Sequence, residues 1–225
     1  MGSMRSRPFV SMRAPFLALF CLALLCLTLG TPPLLAADLP AVQDATTYPD
    51  VDLHAKEHVA IAAVPFDTPE KCKIFKVDFL KYRFMPIRII VTNLGDQPIS
   101  LRDARIFFID AAGNRIPAAE PEDVDRRISP RDSRGTNIPL GPVKLHTKGK
   151  DSDNKIETAF DEYEYASLVV DPHSTRAGFL FYDVDGLGET PLRGAKLVFR
   201  ELRDSSGNQL FYFEIPFDKY LAAQH

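Results

Sequence analysis

The chain has 225 residues, of which 45% are hydrophobic and 25% are charged, and its formal net charge is −3. This composition excludes a chain that is disordered throughout, and the length suits one large domain behind a leader. Of the 27 basic residues, three arginines lie within residues 1–37, which leaves 24 basic against 30 acidic residues. This acidic balance argues against a nucleic-acid partner.

Residues 1–37 are predicted to be a signal peptide. A basic start is followed by an uncharged apolar run at 16–30 and by small residues that end at Ala37, where cleavage is expected. The apolar run is shorter than the roughly 20 residues that span a bilayer, which disfavours an uncleaved anchor. Cys21 and Cys26 lie inside that run, which disfavours lipidation. We therefore expect an exported protein, periplasmic or extracellular, that touches a membrane only if the leader is retained or lipidated.

Cleavage would leave Cys72 as the only cysteine, so no intramolecular disulfide is expected. A lone exported thiol suggests a redox or nucleophilic site, or a bridge between chains. The alternative is a small buried hydrophobic residue, which we favour because only Lys71 and Lys73 flank the thiol and no partner is evident.

Residues 38–56 are polar, lack periodicity and are predicted to form an N-terminal arm. His54 and His58 are four residues apart beside Glu57, so a helix would place both imidazoles on one face as a metal pair. Zinc proteases carry glutamate directly after the first histidine, whereas this chain has Ala55 there. Two solvated histidines are therefore the favoured interpretation, and no metal or cofactor is predicted.

Two segments precede the most regular part of the chain. Residues 59–66 are rich in small apolar side chains and are predicted to form a strand. In residues 74–84 the apolar residues Phe75, Val77 and Phe79 alternate with polar ones, so this segment is also expected to enter a sheet.

Residues 84–114 are predicted to form a β-meander. Alternate apolar residues over 87–91 give one wholly apolar and one mixed strand face. Pro98 marks a turn or the start of the next strand because proline cannot donate to a central ladder. Residues 110–114 suit a short hairpin loop with Gly113 in the left-handed region.

Residues 118–166 are predicted to be a long charged excursion. Short helices are expected at 121–128 and 155–165, where apolar residues recur at helical spacing. The crowded charges are interpreted as a solvated face, and a partner-binding loop stays open as the alternative because long loops are often functional.

Two aspartate-rich spots imitate calcium-binding loops. They cover residues 151–155 and 183–187. Their fifth positions are Lys155 and Leu187, which do not supply the oxygen ligands that the EF-hand spacing requires. Both spots are therefore predicted to be turns.

The last third returns to strands. Residues 177–184 carry large side chains on both faces, as in a strand at the centre of a sandwich. Strands at 196–202 and 209–215 are expected to form a hairpin, with Phe211 and Phe213 on one face. Its loop, at 204–208, resembles the loop at 110–114 in sequence. Two similar loops at unequal spacing do not establish an internal repeat.

This order of strands and turns resembles a recurrent class of bacterial exported domains with an immunoglobulin-like sandwich and no assigned function. The resemblance covers about residues 57–216. It is carried by Pro69, Asp78, Pro86, Asn93, Gly113, Pro172, Gly178 and the pair Phe179 and Phe181. The resemblance implies export and an all-β, immunoglobulin-like two-sheet β-sandwich over 57–217, followed by a tail at 218–225. It implies no active site, and this leader departs from the lipoprotein leader of many such proteins.

No catalytic residue is predicted. The leading hypothesis is an exported, non-enzymatic module that binds a protein or another envelope component. The alternative is a periplasmic small-ligand binder or hydrolase with a site assembled from Asp, Glu and His in loops, for example His146 or His173 near Asp171.

Overall fold

The computed structural model describes residues 39–128 and 150–224, with the backbone alone at 150–154, and this part is mostly β. Its strands are β1 (Val51–His54), β2 (Val59–Pro65), β3 (Phe84–Asn93), β4 (Ile99–Ser100), β5 (Arg105–Ile109), β6 (Arg115–Pro117), β7 (Val169–Val170), β8 (Ser174–Asp183), β9 (Lys196–Arg200) and β10 (Phe213–Pro216). Its α-helices are α1 (Pro121–Ile128), α2 (Lys150–Tyr163) and α3 (Asp218–Ala222).

The strands form two four-stranded antiparallel sheets and one short ribbon. The first sheet has the order β1-β2-β3-β8, the second has the order β10-β9-β5-β6, and β4 pairs with β7. The predicted meander is therefore wrong, because the consecutive strands β3, β4 and β5 lie in three different sheets. A strand that is buried on both faces, as β3 is, needs a neighbour on each side and cover on each face, and β2 and β8 supply the neighbours.

One apolar core is shared by the two large sheets. On the first sheet it contains Ile87 and Ile89 of β3, and on the second it contains Phe199 of β9 and Ile215 of β10, all of them 0% exposed. At roughly 25 cal/mol per Å² of buried apolar surface, such side chains supply the main stabilising free energy of the fold.

The opposite face of the first sheet is covered by a second cluster, which we call the outer aromatic cluster. Phe75, Val77 and Phe79 belong to it, together with residues of α1 and α2. The ring of Phe75 meets those of Phe79 and Phe179 edge to face, with centroids 5.3 and 5.0 Å apart. The prediction that residues 74–84 enter a sheet is wrong, because their apolar side chains point down onto the sheet from a covering segment of 3-10 turns and irregular backbone.

This double cover explains the burial of β3 and one further difference from the predictions. All ten residues of β3 are buried, so its mixed face is covered as well as its apolar face. The strand β8 ends the order of the first sheet instead of lying at its centre. Its large residues are buried on both faces because Phe181 joins the outer aromatic cluster while Tyr182 joins the inner core.

Two segments that were predicted to flank the domain are packed onto it. In the segment 38–56, β1 pairs with β2 and belongs to the first sheet, so treating it as an arm outside the domain is wrong. Ala45, further upstream, packs onto the outer face beside Ile90. At the other end, the predicted tail contains α3, in which Tyr220 is buried.

The helix prediction at 121–128 is confirmed by α1. The second helix, α2, begins at Lys150, so the turn predicted at 151–155 is wrong and these residues continue a helix of 14 residues. The leader, at residues 1–37, and His146 lie outside the described residues. No helix in the two described stretches combines the length and the apolar character needed to cross a membrane.

Candidate functional site

Three carboxylates near β1 hold the end of the chain through its backbone. Each side chain of this carboxylate row, defined as Asp50, Asp52 and Glu57, accepts an N–H group from residues 211–220. The bonds are Tyr220 N to both oxygens of Asp50 (3.1 and 3.1 Å), Glu214 N to Asp52 Oδ2 (2.8 Å) and Phe211 N to Glu57 Oε1 (2.8 Å). The row therefore joins an edge strand of the first sheet to an edge strand of the second by side chains instead of a backbone ladder.

His54 lies between two members of the carboxylate row. Its Nδ1 is 2.7 Å from Glu57 Oε2, and its Nε2 is 3.3 Å from Asp52 Oδ2. The imidazole also stacks on the ring of Phe213 at 3.9 Å between centroids. Only the doubly protonated imidazolium donates from both nitrogens, and in that form its charge offsets the charge of the two acids.

The backbone ladder of the β9–β10 hairpin is interrupted where the carboxylate row contacts it. The strands pair at Phe199 and Phe213, and beyond a gap Arg203 bridges to Gln209 in the same register. Within the gap the N–H of Phe211 bonds to the side chain of Glu57 and not to the facing strand. Because the register is the same on both sides of the gap, no residue is inserted there. The gap instead results from Glu57, whose side chain accepts the N–H of Phe211 in place of the facing strand.

The opened hairpin exposes two aromatic rings. Phe211 is 75% exposed and Tyr212 is 51% exposed, whereas Phe213 is 0% exposed. The prediction that Phe211 shares the inward face of Phe213 is wrong, because the strand geometry that would impose this alternation is interrupted between them.

The exposed rings border a cavity of about 620 Å³, which we call the His54 pocket. It is lined by Asp52, His54, Ala55, Lys56, Glu57, Phe211, Tyr212 and Glu214. Glu214 is bonded to Lys196 at 2.8 Å. The pocket thus combines an apolar wall with carboxylates whose positions are fixed by hydrogen bonds.

Asp50, at the far end of the carboxylate row, is only 2% exposed. Burial raises the pKa of Asp50 to about 6, although the backbone hydrogen bond from Tyr220 and the charge of Lys219 oppose that rise. The hydroxyl of Tyr220 in turn bonds to Asp67 and Lys71. Helix α3 is therefore fixed through both its backbone and its tyrosine.

The structure separates the histidines considered as a metal pair. His54 is on a strand, and His58 lies in the following turn with φ of 56°. Among residues 39–128 and 150–224, no three His, Cys, Asp or Glu side chains lie close enough together to hold a metal ion. A helix was required to place both imidazoles on one face, and this segment forms none.

His173 does not meet Asp171. Its Nε2 contacts Asp96 at 2.8 Å on an exposed surface. Asp171 pairs with Arg176 at 3.1 Å. The described residues thus do not assemble the loop site that the alternative hypothesis places here.

Cys72 is buried, in agreement with the favoured interpretation, and its thiol donates to the carbonyl of Phe66 at 3.1 Å. The pKa of Cys72 is raised to about 12, mainly by burial and to a lesser extent by the nearby charge of Asp78. Because the thiolate is the reactive form, this environment suppresses nucleophilic chemistry. At the second aspartate-rich spot, Asp183 accepts the N–H of Asp185 at 2.9 Å, as a turn requires.

These observations define a mostly-β domain with antiparallel sheets and a preformed pocket. Over 127 residues it is 28% identical to the particulate methane monooxygenase alpha subunit of Methylococcus capsulatus, a match that covers 52% of this chain and 29% of that subunit. The chain thus matches less than a third of that relative's length. No protein-family model and no solved structure match the chain.

Sequence reasoning missed the carboxylate row and the exposure of Phe211. The acids at 50, 52 and 57 are visible in the sequence, but their partners are more than 150 residues away, so local spacing carries no signal for the pairing. His54 and Glu57 do line the pocket, where they contact each other and Glu57 accepts the N–H of Phe211.

Proposed function

We propose that the chain is an exported, non-enzymatic binding domain of the cell envelope or extracellular space that docks a partner protein at the His54 pocket. The observation that carries this proposal is the exposure of Phe211 (75%) and Tyr212 (51%) beside a cavity. Aromatic side chains next to a pocket are among the residues that most often anchor protein interfaces.

The exposure of these rings is built into the fold. Glu57 accepts the N–H of Phe211 in the gap of the hairpin ladder, and Asp52 accepts the N–H of Glu214 at the outer edge of β10, where Glu214 stays paired with Val198. Hydrogen bonds to ionised carboxylates are stronger than neutral ones, so residues 211–214 are held in place before any partner arrives. Pre-organisation of this kind lowers the entropic cost of binding.

A protein partner fits this surface better than a lipid surface. Asp52, Glu57 and Glu214 all line the pocket, and carboxylates oppose an approach to anionic lipid headgroups. An apolar side chain between the rings, with a neighbouring lysine or arginine facing the carboxylates, matches both the wall and the charge. The methane monooxygenase relative is named as a subunit, which supports a role in assembly with other chains.

The proposal includes an immunoglobulin-like sandwich as the fold and residues 1–37 as the export signal. Support for the sandwich comes from the core shared by the two four-stranded sheets. Support for export comes from the pattern of basic, apolar and small residues in the leader.

The alternative of a small-ligand binder or hydrolase is favoured by one observation, the placement of His54 on the wall of the His54 pocket. Both of its ring nitrogens already face carboxylates. A general base needs a nitrogen free to accept a proton, so the geometry supports binding more than hydrolysis.

The test places a photo-crosslinking amino acid at position 211 of the full chain and irradiates the envelope fraction. We expect one discrete protein adduct that disappears when Glu57→Ala releases the hairpin. The matched control places the same probe at position 168, since Leu168 is also exposed, at 53%, and there the adduct should be absent.

The captured protein is then purified and titrated against the chain. We expect Phe211→Ser combined with Tyr212→Ser to weaken binding by roughly 100-fold, as for loss of an interface hot spot, while Leu168→Ser leaves the affinity unchanged. Adducts with lipid, glycan or a second copy of this chain would contradict the proposal, as would a protein adduct that is indifferent to Glu57→Ala.

A further inference from the structure

A second cavity, of about 500 Å³, has lining residues different from those of the His54 pocket, and we call it the Arg83 cavity. Its size is within the range of roughly 300–1,000 Å³ that small-molecule sites have. Its apolar wall includes Met85 at the start of β3, Val184 directly after β8 and Leu192 from the turn before β9. These residues are 2%, 4% and 4% exposed and belong to the core that the two large sheets share. The cavity is therefore an opening from the surface to that core.

The guanidinium of Arg83 is fixed in one orientation beside this cavity. Its Nη2 donates to the backbone carbonyls of Val184 at 3.2 Å and Gly188 at 2.6 Å. Both bonds use the same nitrogen, and an arginine carries three further N–H groups on Nη1 and Nε. The carboxylate of Asp183, directly before Val184, accepts from Arg127 through both of its oxygens. Arg83 is thus held by neutral backbone oxygens, and a donor group fixed in this way loses little entropy when it binds a ligand.

The charges around the Arg83 cavity favour an anion. Its charged lining residues are Asp67, Arg83, Glu189 and Arg193. The charge of Asp67 is balanced by Lys71, whose Nζ lies 3.2 Å from Asp67 Oδ1. Two guanidinium groups then remain against the one carboxylate of Glu189, so the lining has an excess of one positive charge.

We propose that the Arg83 cavity is a binding site for an aliphatic carboxylic acid, separate from the docking surface at the His54 pocket. The carboxylate binds the N–H groups of Arg83, because a planar guanidinium matches the two oxygens of a carboxylate. The aliphatic chain packs against Met85, Val184 and Leu192, where burial of its methylene groups supplies most of the affinity. One negative charge balances the lining, whereas a neutral or cationic head group leaves its excess positive charge in place.

The experiment titrates the full chain by calorimetry with sodium octanoate, octylammonium chloride, octanol and sodium acetate. We expect octanoate to bind saturably at one site. Octylammonium and octanol have the same aliphatic chain and should bind at least roughly tenfold more weakly, because they lose the charge-assisted hydrogen bonds. Acetate should bind at least roughly 100-fold more weakly, since each buried methylene group contributes a factor of about 4.

Methyl NMR of the unmodified chain locates the bound octanoate. The methyl resonances of Met85 and Leu192 should shift along the same saturation curve as the calorimetric heat, because both residues line the Arg83 cavity. The methyl resonance of Ala55, which lines the His54 pocket, should stay in place. A shift of Ala55 without shifts of Met85 and Leu192 would overturn the proposal.

Arg83→Met should weaken octanoate binding by roughly tenfold and leave octanol binding unchanged, because the head group loses its donors while the apolar wall stays. The matched control is Arg105→Met, since the side chain of Arg105 is 66% exposed and paired with Glu201, and this variant should bind like the unmodified chain. Equal weakening of both ligands in Arg83→Met would show that Arg83 maintains the cavity without binding the carboxylate.

That result would overturn the proposal, as would octylammonium or octanol binding as tightly as octanoate, or octanoate heats that do not saturate. If Arg83→Met fails to fold, the comparison of the four probes and the methyl shifts decide the matter in the unmodified chain.

Discussion

The two hairpins of the second sheet have the same loop and different strands. In the β5–β6 loop, Asp110 Oδ1 accepts the N–H groups of Ala112 (2.9 Å) and Asn114 (2.8 Å). In the β9–β10 loop, Asp204 repeats both bonds at 2.8 Å with the corresponding residues, 206 and 208. The glycines of the two loops have φ of 86° and 82°.

Beyond the loops the hairpins diverge. In the first hairpin, Ile109 pairs with Arg115 directly beside the loop. In the second, the ladder is interrupted between the pair Phe199–Phe213 and the bond from Leu210 N to Leu202 O while its register is kept, and there Glu57 accepts the N–H of Phe211. The loop thus sets the register, and contacts from outside the hairpin determine whether the ladder closes. The second hairpin exposes Phe211 and Tyr212, whereas in the first hairpin Phe107 is half-buried and Phe108 is buried.

The largest expected effect separates two phenylalanines of the second hairpin. Phe213→Ala removes a fully buried ring and should lower the free energy of unfolding by about 3–5 kcal/mol. Phe211→Ala, two residues away, should change it by less than ~0.5 kcal/mol. Urea denaturation of both variants measures the difference. An equal loss in the free energy of unfolding would show that Phe211 packs into the core, and it would contradict the interrupted ladder.

The next effect concerns Asp50, the member of the carboxylate row that is most buried. Its pKa of about 6 in the folded chain is above the ordinary value of 3.8, so between these pH values the folded state holds a proton that the unfolded state has lost. Stability from this group is therefore greatest below pH 4, falls as pH rises to about 6 and is constant above that.

Asp50→Asn keeps a hydrogen-bond acceptor for Tyr220 and removes the buried charge. At pH 8 it should raise the free energy of unfolding by about 1–2 kcal/mol, and the gain should vanish by pH 4. Thermal unfolding at both pH values measures this, with Asp96→Asn, on an exposed surface, as the matched control. A gain that grows towards acid pH would show that folding favours the ionised form of Asp50 over the protonated form.

Glu57→Ala tests the open ladder directly. Loss of the bond to the N–H of Phe211 should lower stability by about 1 kcal/mol and allow the strands of the second hairpin to pair through the gap. Hydrogen exchange of the Phe211 amide reports this, and Glu57→Gln, which retains an acceptor oxygen, is the matched control. If the exchange rate of that amide is the same in all three proteins, the carboxylate does not hold the hairpin open.

The sequence predicted what is set locally. Loops 110–114 and 204–208 carry the residues that such turns require, and α1 lies at the predicted bounds. The errors concern which strands pair and which segments cover a sheet. Apolar and polar residues alternate over 74–84, as in a strand, because one side of this segment lies on a sheet. The strand β3 is buried on both faces because segments distant in sequence cover it. The His54 pocket depends on bonds between residues 50–57 and the end of the chain, which no local pattern encodes.

The smallest expected effect concerns the backbone inside the gap of the second hairpin. Glu201 has φ of 63°, a region that disfavours residues other than glycine, and its ion pair with Arg105 is exposed and weak. Glu201→Gly should therefore raise the free energy of unfolding by about 0.5 kcal/mol, as measured by urea denaturation. Glu201→Ala is the matched control, since it loses the same ion pair and keeps the strained φ. A gain in stability that both variants share would show that the effect comes from the side chain and not from the backbone. A gain confined to glycine would show that opening the ladder stores strain at Glu201, which the regular β5–β6 hairpin avoids.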